Sequence, residues 1–361
     1  MDLEKRIKAF TELGAILRNK SNLPDTAIDK ASKKNGWFTE ENIRLAIVAL
    51  GEMLREDKLR AWVDKYPQVS SPKSQVPSPK STAKSVGVIM AGNIPLVGFH
   101  DFLCVLMSGN TFIGKLSSDD PYLLPAVAKV LTDIETGFEK HIDFTEQPLG
   151  KSKSISAFIA TGSNNSARYF EYYFGKHPHI IRKNRNAVAI LDGKETQGDL
   201  QQLGKDIFQY FGMGCRNVSK IYVPQDYNLD KFFSGIVDFG DVINHNKYYN
   251  NHQYHRTIYL LNNEKFLDNN FLMLKESTQI ASPVATLYYE RYGNEKELLE
   301  TLENHKENIQ CVVASKSQVS SLKSQVPSSI SLPLVESGKS QSPELWNYAD
   351  GIDTMEFLLS L

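Results

Sequence analysis

The sequence predicts an α/β protein whose parallel sheet carries helices on both faces, and three observations support this fold class. The first is an apolar run at residues 86–90, a helical apolar pattern at 96–107 and a second apolar run at 111–116. Strand, helix and strand within about 30 residues form a βαβ unit, which makes the two strands parallel.

The second observation is that this alternation continues. The next predicted elements are a helix at 121–138, a strand at 156–160, a helix through residue 174 and a strand at 187–191. The third is that it resumes later, with strands at 218–224, 283–289 and 311–314 and a charged helix at 295–305. Such doubly wound sheets bind ligands beside the carboxyl ends of their strands.

Before the first strand, residues 1–66 show a helical periodicity. Ile7, Phe10, Leu13 and Leu17 fall on one helix face, and a second amphipathic run covers residues 40–59. The spacing predicts helices that bury one face each.

Composition excludes several classes of protein. The 361 residues include 41% hydrophobic and 23% charged residues, and the formal net charge is −1. This balance suits a protein of two domains and predicts neither nucleic acid nor an anionic membrane as the main partner. No apolar run reaches the length of a membrane span, and the N-terminus does not resemble a signal peptide. Three cysteines, an odd and low number, predict a reducing, cytoplasmic location.

Two stretches rich in serine, proline and lysine interrupt the pattern. Residues 67–84 are one of them, and residues 319–328 repeat much of residues 69–78. Such compositions do not bury a core, so both are predicted to be low-complexity loop insertions. A shared partner site is the functional alternative.

One thiol lies where a glycine-rich turn is predicted to join a helix to a strand. Residues 199–210 have the apolar spacing of a helix with Asp199 as its N-cap, and residues 218–224 resemble a strand stopped by proline. Gly212 and Gly214 keep bulk away from Cys215 between them. A small buried hydrophobe is the structural alternative for this cysteine.

A segment rich in asparagine, histidine and tyrosine follows at residues 241–261. His245, His252 and His255 raise the alternative of a metal site, but their spacing matches no familiar zinc pattern. Because no Cys-x-x-Cys or His-Glu-x-x-His is present either, no metal is predicted.

Several motifs, in chain order, resemble those of the aldehyde dehydrogenase superfamily. They are an Asn-x-Pro-Leu turn at 93–96, Gly-Asn-Thr at 109–111, Lys115 at a strand end, Thr-Gly-Ser at 161–163, Gly-Cys at 214–215 and Pro-Val at 283–284. Within that superfamily, residues 90–101 and 348–354 resemble the fatty acyl-CoA reductase branch, the reductase component of bacterial luminescence systems. The resemblance extends from about residue 40 to residue 361.

The resemblance implies a Rossmann-type cofactor domain, a second α/β catalytic domain and a division of roles among their residues. Cys215 is expected to be the nucleophile that forms an acyl thioester, and Asn93 to donate to the oxyanion beside the Cys215 backbone N–H. Lys115 is expected near the adenosine ribose or its phosphate. Thr161, Gly162 and Ser163 form the expected phosphate-facing turn. A turn residue, a solvated strand end and a helix cap are the structural alternatives for Asn93, Lys115 and Ser163.

Departures from the superfamily pattern favour thioester reduction over aldehyde oxidation. Where the hydrolytic members carry a glutamate that activates water, residues 182–186 contain no carboxylate. The glutamate expected to steady the nicotinamide ribose is also missing from residues 279–282, and Ala167 stands where a glycine is expected. Lys115 and Arg168 would suit the 2′-phosphate of NADPH, with NADH left open.

The predicted activity is therefore NADPH-dependent reduction of a fatty acyl thioester, acyl-CoA or acyl-protein, to the aldehyde. Two alternatives stay open: an NAD(P)-dependent aldehyde oxidase with a base such as His255, and a non-catalytic binding subunit of the same fold. An acyl-transferring synthetase subunit is a candidate partner, and a homo-oligomer is expected.

The predicted organisation has five parts. They are an N-terminal helical region packing on the cofactor domain at 1–66, a loop at 67–84, the nicotinamide domain at 85–186, the thiol domain at 187–341 and a tail at 342–361. A low-complexity insertion is expected in the thiol domain at about 315–341.

Overall fold

The computed structural model describes residues 1–19, 23–70, 83–149, 154–325 and 332–361. The chain divides into two compact units. The first unit contains residues 1–183 and 344–361, and the second contains residues 184–343.

A five-stranded parallel sheet forms the centre of the first unit. Its strands are β1 (Ser85–Ile89), β2 (Thr111–Lys115), β3 (Ile142–Thr145), β4 (Ala157–Thr161) and β5 (His179–Arg182). Their order is β3-β2-β1-β4-β5, and every neighbouring pair is parallel. The chain builds outwards from β1 to β3 and then returns to β4, so the direction of winding reverses between β1 and β4. This is the position at which doubly wound sheets open a binding crevice.

Helices cover this sheet, and the N-terminal ones complete its core. They are α1 (Leu3–Arg18), α2 (Asp25–Lys34), α3 (Glu40–Met53), α4 (Glu56–Val63), α5 (Pro67–Ser70), α6 (Phe99–Met107), α7 (Leu123–Ile134) and α8 (Asn164–Phe174). All residues of α6 except His100 are buried, and the helix ends at Met107, two residues before Gly109, whose φ is +87°. Phe10 of α1 packs against Phe102 of α6 with ring centroids 6.5 Å apart.

The second unit is built on a seven-stranded sheet. Its strands are β6 (Asn186–Ile190), β7 (Val218–Pro224), β8 (Leu267–Asp268), β9 (Met273–Glu276), β10 (Thr286–Tyr292), β11 (Ile309–Ala314) and β12 (Leu334–Glu336). The order is β12-β11-β6-β7-β10-β9-β8, parallel except for the β8–β9 pair.

Five α-helices belong to the described part of this unit. They are α9 (Gln197–Phe208), α10 (Leu229–Gly235), α11 (Asn246–Leu261), α12 (Glu295–Asn304) and α13 (Lys316–Gln325). One apolar cluster joins Val188 of β6 and Val312 of β11 to Leu298 of α12 and Val319 of α13. Because alternate side chains of a strand point to opposite faces, Cys311 belongs to the other face of the sheet.

After β12 the chain returns to the first unit. The C-terminal helix α14 (Thr354–Leu359) packs there, and its Met355 and Leu358 join the main core of that unit. Residues 344–361 thus complete the first sheet's helical cover.

The predicted fold class is confirmed by the two parallel sheets, while three local predictions are wrong. The cap of α9 is Thr196 rather than Asp199. Asp199 instead completes a capping box, since its side chain accepts from the Thr196 backbone N–H at 2.9 Å. The strand expected at 283–289 begins at Thr286, because Ala285 adopts a left-handed φ of +63° and turns the chain.

The third wrong prediction is the loop insertion in the second unit. Residues 316–325 form α13 rather than a loop, because Val319 and Leu322 provide a buried apolar stripe beneath the serines and lysines. The copy of this sequence at 69–78 falls almost entirely in residues 71–82, which lie outside the described residues. The sequence patterns did not predict α2, α5, α10, β3, β5, β8, β9 or β12.

Candidate active-site elements

Four of the predicted site residues lie at one edge of the first sheet. Lys115 and Thr161 end β2 and β4, Gly162 follows Thr161, and Asn93 follows β1 by four residues. Because β1 lies between β2 and β4, these carboxyl ends are neighbours. The structure therefore collects the predicted cofactor residues and Asn93 at the edge where doubly wound sheets bind ligands.

Hydrogen bonds before and after Asn93 hold the turn that contains it. Before it, the Asn35 side chain donates to the Gly92 carbonyl at 3.2 Å. After it, Leu96 adopts a left-handed φ of +59°, and its N–H donates to Asp120 Oδ2 at 3.3 Å. The Asp120 carboxylate is buried and also accepts from Leu123 N at 3.2 Å. Burial raises the pKa of Asp120, while these backbone hydrogen bonds oppose the rise. Asn93 itself is half-buried.

Helix α8 begins immediately after the Thr161-Gly162-Ser163 turn. Ser163 caps it, accepting from the Ser166 backbone N–H at 3.2 Å, and the first turn contains no acidic residue. A Cβ on Gly162 would come within 2.9 Å of Ser166 Cβ and 3.0 Å of a Phe170 ring carbon. A helix N-terminus with backbone donors, no acidic residue in its first turn and a glycine at the approach suits a phosphate group.

Lys115 is half-buried at the end of β2. Its Nζ donates to the carbonyl of Leu116 at 3.0 Å, so the ammonium remains beside the sheet edge. This location suits the ribose or phosphate contact that the resemblance implies.

Cys215 is an exposed thiol on a tight turn of the second unit. The Asn217 backbone N–H donates to the Gly214 carbonyl at 3.0 Å, which leaves Cys215 and Arg216 as the two central residues of a β-turn. The turn follows three successive residues with left-handed backbones, Tyr210, Phe211 and Gly212, with φ of 52°, 57° and 76°. Two of these are not glycine, and this strain requires support from the surrounding structure.

Side chains near this turn contact two other residues of the second unit. Phe211 stacks on the His245 ring with centroids 4.1 Å apart. Arg216 hydrogen-bonds to the buried thiol of Cys311. Burial raises the pKa of Cys311 to about 12, with Arg216 opposing that rise, so Cys311 is a protonated thiol at neutral pH.

Cys215 lies at the amino end of its strand. It precedes β7, while residues 184–186 lead into β6 and residues 279–282 precede β10, the two neighbours of β7. Ser219 connects two of these segments by donating to the Ile280 carbonyl at 2.7 Å. Residues 184–186, the end of the stretch at 182–186 that contains no carboxylate, and residues 279–282 therefore adjoin the strand that follows the thiol.

Arg182 ends β5 and turns its side chain into the interior of the first unit. It donates to Asp101 of α6 at 2.6 and 2.9 Å and to Thr354 of α14 at 2.8 Å. Its backbone carbonyl accepts from the Gly162 N–H at 3.4 Å. These partners are not predictable from the sequence, because they lie 81 and 172 positions from Arg182 and no local pattern connects residues so far apart.

A second buried network joins the C-terminal segment to the same unit. The Tyr348 hydroxyl accepts from Trp62 Nε1 at 2.7 Å and lies 2.6 Å from the Tyr66 hydroxyl, which donates to Asp353 at 2.7 Å. Residues 348–354 carried part of the family resemblance, and these contacts give two of them a structural role.

The histidines of residues 241–261 have structural partners. His252 is buried and lies 3.1 Å from Asp268, His245 caps α11, and His255 is half-buried between Tyr254 and Tyr259. Burial lowers the pKa of His255. Across the described residues, no group of histidine, cysteine and carboxylate side chains is arranged to hold a metal ion. In the same residues, no helix combines the length and apolar character that crossing a membrane requires.

Comparison with known sequences gives a family match. Residues 38–230, more than half of the chain, match the family described as "Acyl-CoA reductase (LuxC)". A curated relative, the long-chain acyl-protein thioester reductase of Aliivibrio fischeri, is 24% identical over 168 residues. That alignment covers 43% of this chain and 35% of the relative, so the match spans about a third of the relative's length.

Comparison with solved structures agrees on the fold. Aldehyde dehydrogenase 21 of Physcomitrella patens, in complex with succinate, matches with a TM-score of 0.69 and 14% sequence identity. That match covers 100% of this chain and 84% of the aldehyde dehydrogenase chain. The glyceraldehyde-3-phosphate dehydrogenase GapN of Methanocaldococcus jannaschii, complexed with NADP, matches with a TM-score of 0.63 and 13% identity. That match covers 94% of this chain and 82% of the GapN chain. These matches confirm the predicted aldehyde dehydrogenase-like fold.

Proposed function

Because the chain belongs to the acyl-CoA reductase (LuxC) family, we propose that it reduces a fatty acyl thioester to the corresponding aldehyde. The observation that supports this proposal most strongly is the exposed Cys215 thiol at the tip of a constrained turn. A cysteine that merely fills space would be buried, as Cys104 and Cys311 are.

In the proposed first step, the Cys215 thiolate attacks the carbonyl carbon of the acyl thioester. The tetrahedral oxyanion collapses, the original thiol leaves as its thiolate, and the acyl group remains on Cys215. We assign oxyanion stabilisation to the Asn93 side-chain amide and the Cys215 backbone N–H, a role that rests on the family resemblance. Removal of one such donor typically costs about 10²–10³ in rate.

A reduced nicotinamide nucleotide would supply the hydride that adds to the acyl carbon of the thioester. The resulting hemithioacetal oxyanion expels Cys215 as the thiolate and releases the aldehyde, so one thioester, one hydride and one proton give one aldehyde and one free thiol. In the first unit, the Gly162–Ser163 turn with the start of α8 fits the pyrophosphate, and Lys115 fits the ribose or its 2′-phosphate. We propose NADPH as the preferred nucleotide and NADH as the alternative.

Two sequence differences support reduction rather than hydrolysis. Residues 184–186 and 279–282 adjoin the strand of the nucleophile and contain no carboxylate. A water molecule in such a place lacks the base that would activate it against the acyl thioester, whereas an incoming thiol ionises more readily. We therefore propose that the acyl group leaves Cys215 mainly by hydride transfer or thiol exchange.

We further propose that the acyl donor is a thioester of CoA or of a protein. The name of the Aliivibrio fischeri relative specifies a long-chain acyl-protein thioester, and the family description specifies acyl-CoA. Both donors present the same carbonyl and differ only in the leaving thiol. Delivery by an acyl-transferring synthetase subunit and assembly as a homo-oligomer are parts of the same proposal.

The test is direct labelling of the thiol. The protein is incubated with radiolabelled hexadecanoyl-CoA without nucleotide, and the labelled peptide is identified by mass spectrometry. We expect one acyl group on Cys215 in the wild type and none in Cys215→Ala. Addition of NADPH should release hexadecanal.

Three results would contradict the proposal. Equal labelling of Cys215→Ala would remove Cys215 from the reaction. Fast acid formation from hexadecanal, NADP⁺ and water without CoA would favour an aldehyde oxidase, and failure to bind either nucleotide by calorimetry would favour a binding subunit.

A further inference from the structure

The buried side chain of Asn217 hydrogen-bonds to the backbone around the turn that carries the Cys215 thiol. Its side chain is 1% exposed and makes hydrogen bonds in two directions. Oδ1 accepts from the Gly214 backbone N–H at 2.8 Å. Nδ2 donates to the carbonyls of Asp206 and Gln209, each at 2.9 Å.

The two sets of hydrogen bonds satisfy polar backbone groups of two different segments. Asp206 and Gln209 lie at the C-terminal end of α9, where the last carbonyls of a helix have no partner within the helix. Gly214 opens the turn that carries Cys215, and the backbone N–H of Asn217 closes the same turn on the Gly214 carbonyl at 3.0 Å. One asparagine therefore links the end of α9 to both sides of the nucleophile's turn.

The chain between these two attachment points is strained. Tyr210, Phe211 and Gly212 all have left-handed backbones, which a side chain such as phenylalanine seldom adopts. Such conformations persist only where the surrounding structure imposes them. The Asn217 amide spans this segment from Gln209 to Gly214, so it is placed to hold the strained loop in one conformation.

Acyl transfer requires more than an exposed thiol. The attacking sulfur and the backbone N–H of Cys215 must be held in a fixed relation to the same carbonyl group. Both atoms belong to a residue whose backbone is set by the turn. We propose that Asn217 is a positioning residue, which fixes the Cys215 turn in the geometry required for acyl transfer without itself touching the substrate. This inference rests on the proposed function.

The experiment compares two reactions of the same sulfur. Acylation by radiolabelled hexadecanoyl-CoA needs the positioned turn, whereas alkylation by iodoacetamide needs only an accessible thiolate. Both rates are measured by rapid quench in the wild type, Asn217→Ala and Asn217→Asp. Cys215→Ser gives the background. Asn294→Ala is the matched control, because Asn294 also binds a backbone N–H of the second unit, that of Glu297 at 3.0 Å, but caps α12.

We expect acylation of Asn217→Ala to fall by about tenfold to a hundredfold, as for a misplaced reacting group. Alkylation should change by less than about threefold, since the thiol stays exposed. Asn294→Ala should keep both rates. Asn217→Asp retains the acceptor for Gly214 but not the donations to the carbonyls at the end of α9, and it decides the question if circular dichroism shows that the alanine variant does not fold.

The outcomes separate this inference from the proposed function. Equal acylation by wild type and folded Asn217 variants would overturn the inference alone. An equal fall in both rates would also overturn it, because it would show a general loss of structure. A wild type that is alkylated at Cys215 but never acylated would instead refute the proposed function.

Discussion

Arg182 and Asp101 form a two-point ion pair inside the first unit, with Nη1 2.6 Å and Nη2 2.9 Å from the two carboxylate oxygens. Both side chains are less than a tenth exposed. The pair joins the last residue of β5 to the first turn of α6, and Thr354 adds the C-terminal helix through a bond of 2.8 Å. An arginine is thus held by the fold within residues 182–186, the stretch in which the family resemblance predicts the base of the hydrolytic members.

The first prediction is that a carboxylate at this position will not create a hydrolase. Arg182→Glu would face Asp101 and leave two buried carboxylates without a cation. Breaking a buried pair in this way typically costs about 3–5 kcal/mol in the free energy of unfolding. We expect that loss by urea denaturation, and no gain of acid formation from hexadecanal.

Arg60→Gln is the matched control. Arg60 also pairs with two carboxylates, Glu4 and Glu56, but these groups are exposed. Exposed pairs contribute about 0–1 kcal/mol. A stable Arg182→Glu variant that hydrolyses acyl thioesters would contradict the structural role assigned to the pair.

The second prediction concerns the hydroxyl of Tyr348, which holds the C-terminal segment. Tyr348→Phe would leave the buried Trp62 N–H without its acceptor, and an unsatisfied buried donor costs about 1–3 kcal/mol. We expect this loss in the free energy of unfolding, together with faster amide exchange in residues 344–361. Tyr172→Phe, at a side chain 82% exposed, should change neither quantity. Equal stability of the two variants would show that the network contributes little.

These two clusters show what the sequence did not predict. Local periodicity located most helices and strands, because apolar spacing reports which face of an element is buried. The Arg182–Asp101 pair and the Tyr348 network join residues far apart in the chain, so no local pattern predicts them. β5 was missed for another reason: its four residues, His179–Arg182, alternate too briefly to be distinguished from the loops beside it.

The candidate site also combines features that the local sequence predicts with features that only distant contacts determine. The sequence predicted correctly that Cys215 lies on a turn, because the neighbouring glycines favour the backbone conformations that a turn requires. The left-handed Tyr210 and Phe211 were not predictable, since tertiary contacts rather than residue preference impose them. Asn217 follows the Gly-Cys motif by two residues, but the partners of its side chain are set by the folded chain and not by the local sequence.

The third prediction is a pH dependence that arises from Asp206. Burial raises the pKa of this carboxyl to about 6, although it accepts backbone hydrogen bonds from Gly338 at 2.6 Å and Ser340 at 2.9 Å. A carboxyl whose pKa is higher in the folded state than its ordinary 3.8 favours folding while protonated. Its contribution is complete below about pH 4 and is lost as pH rises through about 6.

The measurement compares the wild type with Asp206→Asn, which cannot ionise. From pH 4 to 7 the free energy of unfolding of the wild type should fall relative to the variant, by up to about 3 kcal/mol, and then stay level. Asp226→Asn, at an exposed position, should give no such slope. A wild type that gains stability relative to Asp206→Asn over this range would reverse the sign and refute the assignment.

The last prediction tests the proposed phosphate site at the start of α8. Gly162→Ala would bring a methyl group within 2.9 Å of Ser166 Cβ, so the turn must shift away from the helix N-terminus. The backbone donors would then no longer point together at a phosphate. We expect the dissociation constant for NADPH, measured by fluorescence titration, to rise by about tenfold, the cost of roughly one lost charge-assisted hydrogen bond. Acylation of Cys215 without nucleotide should be unchanged, because it requires no phosphate contact.

Gly198→Ala provides the matched glycine control for that prediction. Gly198 lies in the first turn of α9, where an added Cβ would approach nothing closer than Thr196 Oγ1 at 3.7 Å. Alanine favours a helix over glycine by about 1 kcal/mol, so this variant should be as stable as the wild type or more so and should bind NADPH normally. If Gly162→Ala binds NADPH as tightly as Gly198→Ala, the pyrophosphate does not lie at this turn.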